Sequence, residues 1–123
     1  MKIVFAIGTG SFIGGIFRYL LSQLIQTKFL STVPFGTLTV NIIGCFLIGV
    51  VFGVNDKWNL TQEWRLFLAT GLLGGFTTFS AFSLETVSML RDGQFWYASA
   101  YIASSVIIGL IASFIGIAII KFI

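Results

Sequence analysis

Four long apolar stretches dominate the chain and limit what it can fold into. They run over Ile3–Ile25, Phe35–Val54, Leu66–Leu90 and Phe95–Ile120, and only short polar connectors separate them. A helix needs about 20 apolar residues to cross the roughly 30 Å hydrocarbon core of a bilayer. With 57% hydrophobic and 9% charged residues, the 123-residue chain leaves no hydrophilic domain over. The sequence therefore predicts an all-α membrane protein with one transmembrane domain, residues 1–123.

The positions of the basic residues bear on orientation. The side that holds both termini and the middle connector carries four of them: Lys2, Lys57, Arg65 and Lys121. The opposite side carries two, and a third leans toward it from within the first span: Lys28, Arg91 and Arg18. The positive-inside bias is therefore slight. Two interpretations stay open: one side is preferred by a residue or two, or the chain inserts both ways and two opposite copies pair.

The residue types present argue against several function classes. The chain has no histidine, so neither an ordinary Ser-His-Asp triad nor a His-based metal site can be assembled. It has no GxxxxGK phosphate loop, which excludes transport driven by its own nucleotide hydrolysis. The basic residues are single and scattered, so nucleic acid is not indicated. Cys45, the one cysteine, has no disulfide partner in its own chain.

Two glycine pairs occur at helix-packing distance. Gly10 and Gly14 lie four apart in the first span, and Gly49 and Gly53 lie four apart in the second. Such pairs let helix backbones approach closely in lipid. We interpret all four as packing residues without a binding role.

The segment "GLLGGFTTFSAFS", residues 71–83, interrupts the third apolar stretch with small and hydroxylated residues. Gly74-Gly75 can leave helical geometry cheaply, and the hydroxyls of Thr77, Thr78 and Ser80 can satisfy the backbone groups freed there. We predict a break in this helix. The end of its first half would then attract a cation, and the start of its second half an anion.

Two aromatic residues share one face of the second half-helix. Phe79 and Phe82 are three residues apart, Ser83 lies on the same face, and Ser80 lies on its flank. Aromatic rings have a positive edge, so rings presented edge-on can contact an anion without binding it tightly. The alternative is that both rings are lipid-facing or interhelical filler, which spacing alone favours.

Further polar residues occur at membrane depth. Asn41 cannot snorkel, so it either joins two helices by hydrogen bonds or lines a wet passage. Arg18 either snorkels or makes the local field favourable to anions. Glu85 either snorkels, pairs locally with Arg91, or lines a vestibule. In the fourth span Tyr101 and Ser105 are four apart, which suits interhelical hydrogen bonds or a polar track.

Three motifs together resemble the Fluc-type fluoride channels, also called CrcB proteins. They are "GGIFRY" in the first span, "TLTVNIIG" in the second and "GLLGGFTTFSAFS" in the third, and the last is the most specific. Length, span number and motif order agree over essentially the whole chain. The resemblance implies a passive channel in the cell (inner) membrane that exports fluoride down its electrochemical gradient. It also implies an antiparallel, dual-topology homodimer with two pores.

The resemblance assigns roles to particular residues. It implies that the fluoride pathway is lined by Asn41, Phe79, Phe82, Ser80, Ser83, Tyr101 and Ser105, with Arg18 near the entrance. It implies a structural sodium ion at the dimer centre, held by the backbone carbonyls of Gly74 and Thr77 from both subunits. One departure is Gly109, which stands a turn after Ser105 where some members carry another hydroxyl.

Two rival functions remain to be compared with this one. A small proton-coupled cation or drug exporter is also a four-span, dual-topology protein, but it requires a carboxylate in the first span. This chain has none there and carries Arg18 instead. The second rival is a non-transporting structural subunit, in which Phe79 and Asn41 would pack as ordinary interface residues.

Overall fold

The computed structural model describes residues 1–123 and is entirely helical. Four helices are long and apolar enough to cross a membrane, which confirms the four predicted spans. The first, second and fourth crossings are each a single helix: α1 (Lys2–Lys28), α2 (Phe35–Trp58) and α6 (Phe95–Lys121). The third crossing, Gln62–Arg91, is segmented into α3 (Gln62–Arg65), a π-helix (Leu66–Leu73), α4 (Gly74–Phe76) and α5 (Phe79–Arg91).

The helices extend beyond the apolar stretches into the polar connectors. α2 continues to Trp58 and ends where Asn59 adopts a left-handed conformation, with φ of 51°. Gly93, with φ of 76°, makes the turn between α5 and α6. Thr61 begins the third crossing, because its side chain accepts a hydrogen bond from the backbone N–H of Trp64. The helices thus begin and end at capping and turn residues, and not where the apolar stretches of the sequence begin and end.

The second and fourth spans form a parallel pair in direct backbone contact. A Cβ on Gly49 would collide with the carbonyl of Ser113, and one on Gly116 would collide with the carbonyl of Phe46. A Cβ on Gly53 would lie 3.0 Å from the Cβ of Ile120. The packing role predicted for Gly49 and Gly53 is confirmed, with glycines contributed by both helices.

The first and third crossings form a second parallel pair. A Cβ on Gly10 would lie 2.7 Å from the backbone of Leu72, and one on Gly14 would collide with the same residue. A Cβ on Gly75 would lie 2.6 Å from the carbonyl oxygen of Ser11. The packing role predicted for Gly10 and Gly14 is confirmed, and Gly75 belongs to the same contact.

The third crossing breaks as predicted, but two residues later than its glycines. Gly74 is helical, with φ of −62° and ψ of −38°. The chain becomes extended at Thr77 (φ −89°, ψ 157°) and Thr78 (φ −148°, ψ 116°). Gly75 is held in the helix by its contact with α1, whereas β-branched threonines are well suited to extended backbone. The prediction that Gly74-Gly75 leaves helical geometry is therefore wrong.

Candidate functional site at the break in the third crossing

A groove of about 430 Å³ opens beside the break, between α2, the third crossing and α6. It combines polar groups from all three with two aromatic rings. Six of the ten residues predicted to hold ions line it: Asn41, Gly74, Thr77, Phe79, Phe82 and Ser105. The groove therefore brings together residues of the second-span and third-span motifs and of the fourth span.

Asn41 joins α2 to the backbone of the break. The N–H of Thr78 donates to Asn41 Oδ1 at 2.8 Å, and Asn41 Nδ2 donates to the carbonyl oxygen of Thr78 at 3.0 Å. One amide side chain thus satisfies both polar groups of an extended residue that has no helical partners. Asn41 also faces the groove, and Nδ2 carries a second hydrogen. The two predicted alternatives, helix joining and groove lining, are combined in one residue.

The two threonine hydroxyls complete the hydrogen bonding of the break. Thr78 Oγ1 accepts from the N–H of Ala81 at 3.1 Å and so caps α5. Thr77 Oγ1 donates to the carbonyl oxygen of Leu73 at 3.0 Å. The prediction that these hydroxyls satisfy freed backbone groups is confirmed for Thr78. It is wrong for Thr77, because the carbonyl of Leu73 also keeps its helical bond from the N–H of Thr77, and for Ser80, whose hydroxyl contacts Thr78 Oγ1 and no backbone group.

This arrangement leaves two carbonyls without their helical donors. In a continuous helix the N–H of Thr78 would donate to the carbonyl of Gly74, and here it donates to Asn41. The N–H of Ala81 would donate to the carbonyl of Thr77, and here it donates to a hydroxyl. Gly74 and Thr77 are the two residues predicted to present carbonyls to a cation.

The rings of the site follow one another across α5 and α6. The centroids of Phe79 and Phe82 lie 5.5 Å apart, and those of Phe82 and Tyr101 lie 5.1 Å apart. Phe79 is 79% exposed in the single chain, whereas Phe82 is half-buried and Tyr101 is buried. The rings therefore lead from the open groove to the interface between α5 and α6.

Three enclosed side-chain oxygens have no hydrogen-bond partner in the chain: Glu85 Oε1, Tyr101 Oη and Ser105 Oγ. Ser105 lines the groove, and Tyr101 lies one turn before it on α6. The Glu85 carboxylate and the Tyr101 hydroxyl both lie near the hydroxyl of Thr37 in α2. Polar atoms that are buried without partners are costly. The two hydroxyls can each donate to water or an anion, whereas the Glu85 carboxylate needs a donor such as water.

Four of the ten predicted site residues do not line the groove: Tyr101, whose ring adjoins that of Phe82, and three that lie apart from it. Ser80 is exposed, and its hydroxyl lies 3.2 Å from Thr78 Oγ1, which places it against the cap of α5. Ser83 is exposed on the next turn of α5. Arg18 lies on α1, one turn beyond Gly14, and is partly exposed. A single chain does not bring these side chains to the other six.

Thr78 and Cys45 line the groove but were not among the predicted site residues. Thr78 could have been identified from sequence, because a threonine just before a helical segment is a preferred N-cap. Cys45 lies one turn after Asn41 on the same face of α2, a spacing that could also have been used. Its apolar surroundings in the sequence gave no sign of a polar role.

Comparison with known proteins assigns the chain to a family. The model of the family described as "CrcB-like protein, Camphor Resistance (CrcB)" matches residues 5–117. The chain belongs to the CrcB family. A CrcB relative from Flavobacterium psychrophilum, named "Fluoride-specific ion channel FluC", is 43% identical over 122 residues, covering 98% of both chains. A protein of the same name from Leptospira interrogans is 44% identical over 121 residues, covering 98% of this chain and 95% of its own.

The match to the CrcB family includes every element of the site. Residues 5–117 contain the helix-joining Asn41, the break at Thr77 and Thr78, and the aromatic pair on α5. Another relative with the same name, from Aquifex aeolicus, is 42% identical over 117 residues, or 94% of each chain. The four crossings and this membership make the chain a multi-pass membrane protein.

Proposed function

We propose that this chain is a passive, fluoride-selective channel that releases fluoride from the cytoplasm down its electrochemical gradient. The observation that carries the proposal is the groove, in which a hydrogen-bonded break, two phenyl rings and an unpartnered hydroxyl meet. Relatives that share the whole chain are named as fluoride-specific ion channels. No catalytic step belongs to this function.

Selectivity for fluoride follows from the kind of groups that the groove offers. Fluoride is small and strongly hydrated, so a pore must replace its water with several weak donors and yet release it. Asn41 supplies the second hydrogen of Nδ2, Ser105 supplies its hydroxyl, and the edges of Phe79 and Phe82 supply weak positive charge. None of these is a full positive charge, so binding is adequate without being tight.

The active form that we propose is an antiparallel homodimer with two pores. In a single chain the groove is open along one side, and Phe79 is 79% exposed. A second copy, inverted in the membrane, would cover the groove and enclose the rings. The near-balanced basic residues at the two ends of the crossings suit a chain that inserts in both orientations. Ser80, Ser83 and Arg18 would complete the pathway or its entrance in the dimer.

The residues at the break suit a structural sodium ion. The carbonyls of Gly74 and Thr77 have both lost their helical donors, and carbonyls at the end of a half-helix are ligands that sodium accepts. Two carbonyls from each subunit would hold the ion, which would neutralise the negative helix end and join the subunits. Replacing sodium with a large organic cation should then lower the thermal stability of the dimer, measured by scanning fluorimetry in detergent.

The proposed function needs no energy source. Hydrogen fluoride crosses a membrane as a neutral acid and dissociates in the more alkaline cytoplasm. The trapped anion can then leave through an open path in the cell membrane. The direction of flow follows the fluoride gradient alone.

The deciding experiment is fluoride efflux from proteoliposomes that contain only this protein, followed with a fluoride electrode. We expect rapid efflux that requires no proton gradient, with chloride essentially excluded. Equal permeability to both halides would reject selectivity. Efflux of an organic cation driven by a proton gradient would support the exporter, and the absence of any flux would support the structural subunit.

A further inference from the structure

The series of rings beside the break has one exposed end and one enclosed end. Phe79 is exposed in the chain, whereas Tyr101, on the other side of Phe82, keeps only 1% of its surface exposed. The ring centroid of Phe82 lies 5.1 Å from that of Tyr101 and 5.5 Å from that of Phe79. Whatever fixes Tyr101 therefore also limits where the ring of Phe82 can lie.

Tyr101 belongs to a hydrophobic cluster between α5 and α6. The other two buried members are Met89, on α5, and Ala98, on α6, and Ala98 has no exposed surface. The ring of Phe82 packs against this cluster. Met89 follows Phe82 by seven residues and Ala98 precedes Tyr101 by three, so each pair shares one face of its helix. Because protein interiors are close-packed, a change of one methyl group in the cluster is felt by its neighbours.

The backbone that carries Phe82 is fixed separately from the cluster. Thr86, one turn later on α5, is buried and donates its hydroxyl hydrogen to the carbonyl oxygen of Phe82 at 2.7 Å. Since the backbone is held within a helix, the freedom left to Phe82 is rotation about its side-chain bonds. The side chains that pack on the ring decide that rotation.

We propose that Met89 and Ala98 are positioning residues of the ion route, which set the angle of the Phe82 ring by holding Tyr101 against it. The inference rests on the proposed function, in which the ring edge contacts the anion. The planes of Phe82 and Tyr101 are inclined at 46°. A rotated ring would turn its negative face toward the anion in place of its positive edge. Neither Met89 nor Ala98 lines the groove, so their effect on flux must pass through the rings.

The first test measures fluoride efflux from proteoliposomes that contain full-length variants. Met89→Ala opens a space in the cluster and Ala98→Val overfills it, and each should lower the efflux rate on the order of tenfold, because a misplaced contact group loses much of its effect. Ala112→Val makes the same change at another buried alanine of α6, outside the cluster and the groove, and should keep its efflux rate. Met89→Leu conserves volume and should restore most of the flux that Met89→Ala loses.

A second measurement reports on the ring itself. 4-Fluorophenylalanine incorporated at position 82 alone gives one fluorine resonance, recorded by NMR in detergent. Met89→Ala and Ala98→Val should shift this resonance, and Ala112→Val should leave it in place. Thermal unfolding in the same detergent should show a lower melting temperature for both valine variants, since both overfill a buried site. A purely structural role would change the melting temperature without moving the resonance.

The outcomes distinguish this inference from the function on which it rests. No fluoride efflux by the unsubstituted protein would reject the proposed function, whereas the fluorine resonance tests the positioning of Phe82 without any flux. Equal losses of efflux in Ala98→Val and Ala112→Val would overturn the inference. So would an unmoved resonance in the variants that lose flux. If Met89→Ala does not assemble, Ala98→Gly removes a single methyl group from the same cluster, and unchanged efflux in that variant would also overturn the inference.

Discussion

Two grooves of similar size flank the third crossing, and their linings differ in polarity. The polar groove, about 430 Å³, contains Asn41, Thr77, Thr78 and Ser105. The apolar groove, about 470 Å³, lies between α1, α2 and the third crossing, and leucine and phenylalanine side chains alone line it. Leu73 lines both. Volume therefore does not distinguish an ion route from a surface that lipid or another helix can cover.

The difference arises from the direction in which the break exposes its backbone. The extended residue Thr78 turns its N–H and carbonyl toward Asn41 of α2, which creates a polar wall. On the other side Phe76 is the last helical residue, and its ring faces the apolar groove. One interruption of one helix thus gives two surfaces of opposite character. Substitutions in the polar groove should therefore reduce fluoride flux, and matched substitutions in the apolar groove should leave it unchanged.

The largest effect is expected for Asn41→Ala. This change removes two hydrogen bonds and leaves the N–H and the carbonyl of Thr78 unpaired, at a cost of about 1–3 kcal/mol each. Fluoride efflux should fall below detection, and the melting temperature in detergent should decrease. Leu47→Ala is the matched control, since Leu47 lies on α2 but lines the apolar groove. Equal losses for both variants would show that the two grooves do not differ in function.

Phe79→Ile should abolish flux while the proposed dimer persists. Isoleucine keeps much of the apolar volume but lacks the positive ring edge that we assign to anion contact. The measurements are electrode efflux and size-exclusion chromatography. Phe17→Ile makes the same change in the apolar groove and should conduct normally. Unchanged flux in Phe79→Ile would remove the aromatic part of the mechanism.

A pair of neighbouring glycines tests the frame that holds both grooves. Gly14→Ala should destabilise the protein by about 1–3 kcal/mol, because its Cβ would collide with the backbone of Leu72. Gly15→Ala should be neutral or slightly stabilising, since nothing lies within 4 Å of its Cβ position. Thermal unfolding in detergent measures both. If the two variants had the same melting temperature, close contact between α1 and the third crossing would be disproved.

The smallest effect is expected at the cap of α5. Thr78→Val keeps the shape and loses the hydroxyl that accepts from Ala81, at a cost of about 1 kcal/mol. We expect efflux reduced a few-fold and a modest decrease in melting temperature. Thr78→Ser keeps the hydroxyl and should restore both. A valine variant indistinguishable from the unsubstituted protein would show that Asn41 alone maintains the break.

Much of this architecture follows from the sequence, for identifiable reasons. The length of each apolar stretch predicts a membrane span. Glycines four residues apart predict close helix contacts, so the packing role of Gly10, Gly14, Gly49 and Gly53 could be predicted. The break was predicted from its small and hydroxylated residues. Its position was not, because whether Gly74-Gly75 stays helical depends on the contact between Gly75 and Ser11 of another helix.

The hydrogen-bond partners of the polar residues could not be predicted from the sequence either. The sequence shows that Asn41 needs hydrogen-bond partners. It does not show that both partners are backbone atoms of Thr78, 37 residues away. Glu85 was considered a partner of Arg91. Instead one of its oxygens is enclosed without a hydrogen bond near Thr37 and Tyr101. Such pairings depend on how helices rotate against one another, which periodicity does not specify.

The double attachment of Asn41 restricts how this channel could be gated. To swing its amide into the passage, the side chain would have to release the donor and the acceptor of Thr78 together. A movement of α2 would likewise pull the extended residue with it. The wall that Asn41 and Thr78 form is therefore a stiff unit, and any opening or closing motion of the proposed route should take place elsewhere along it.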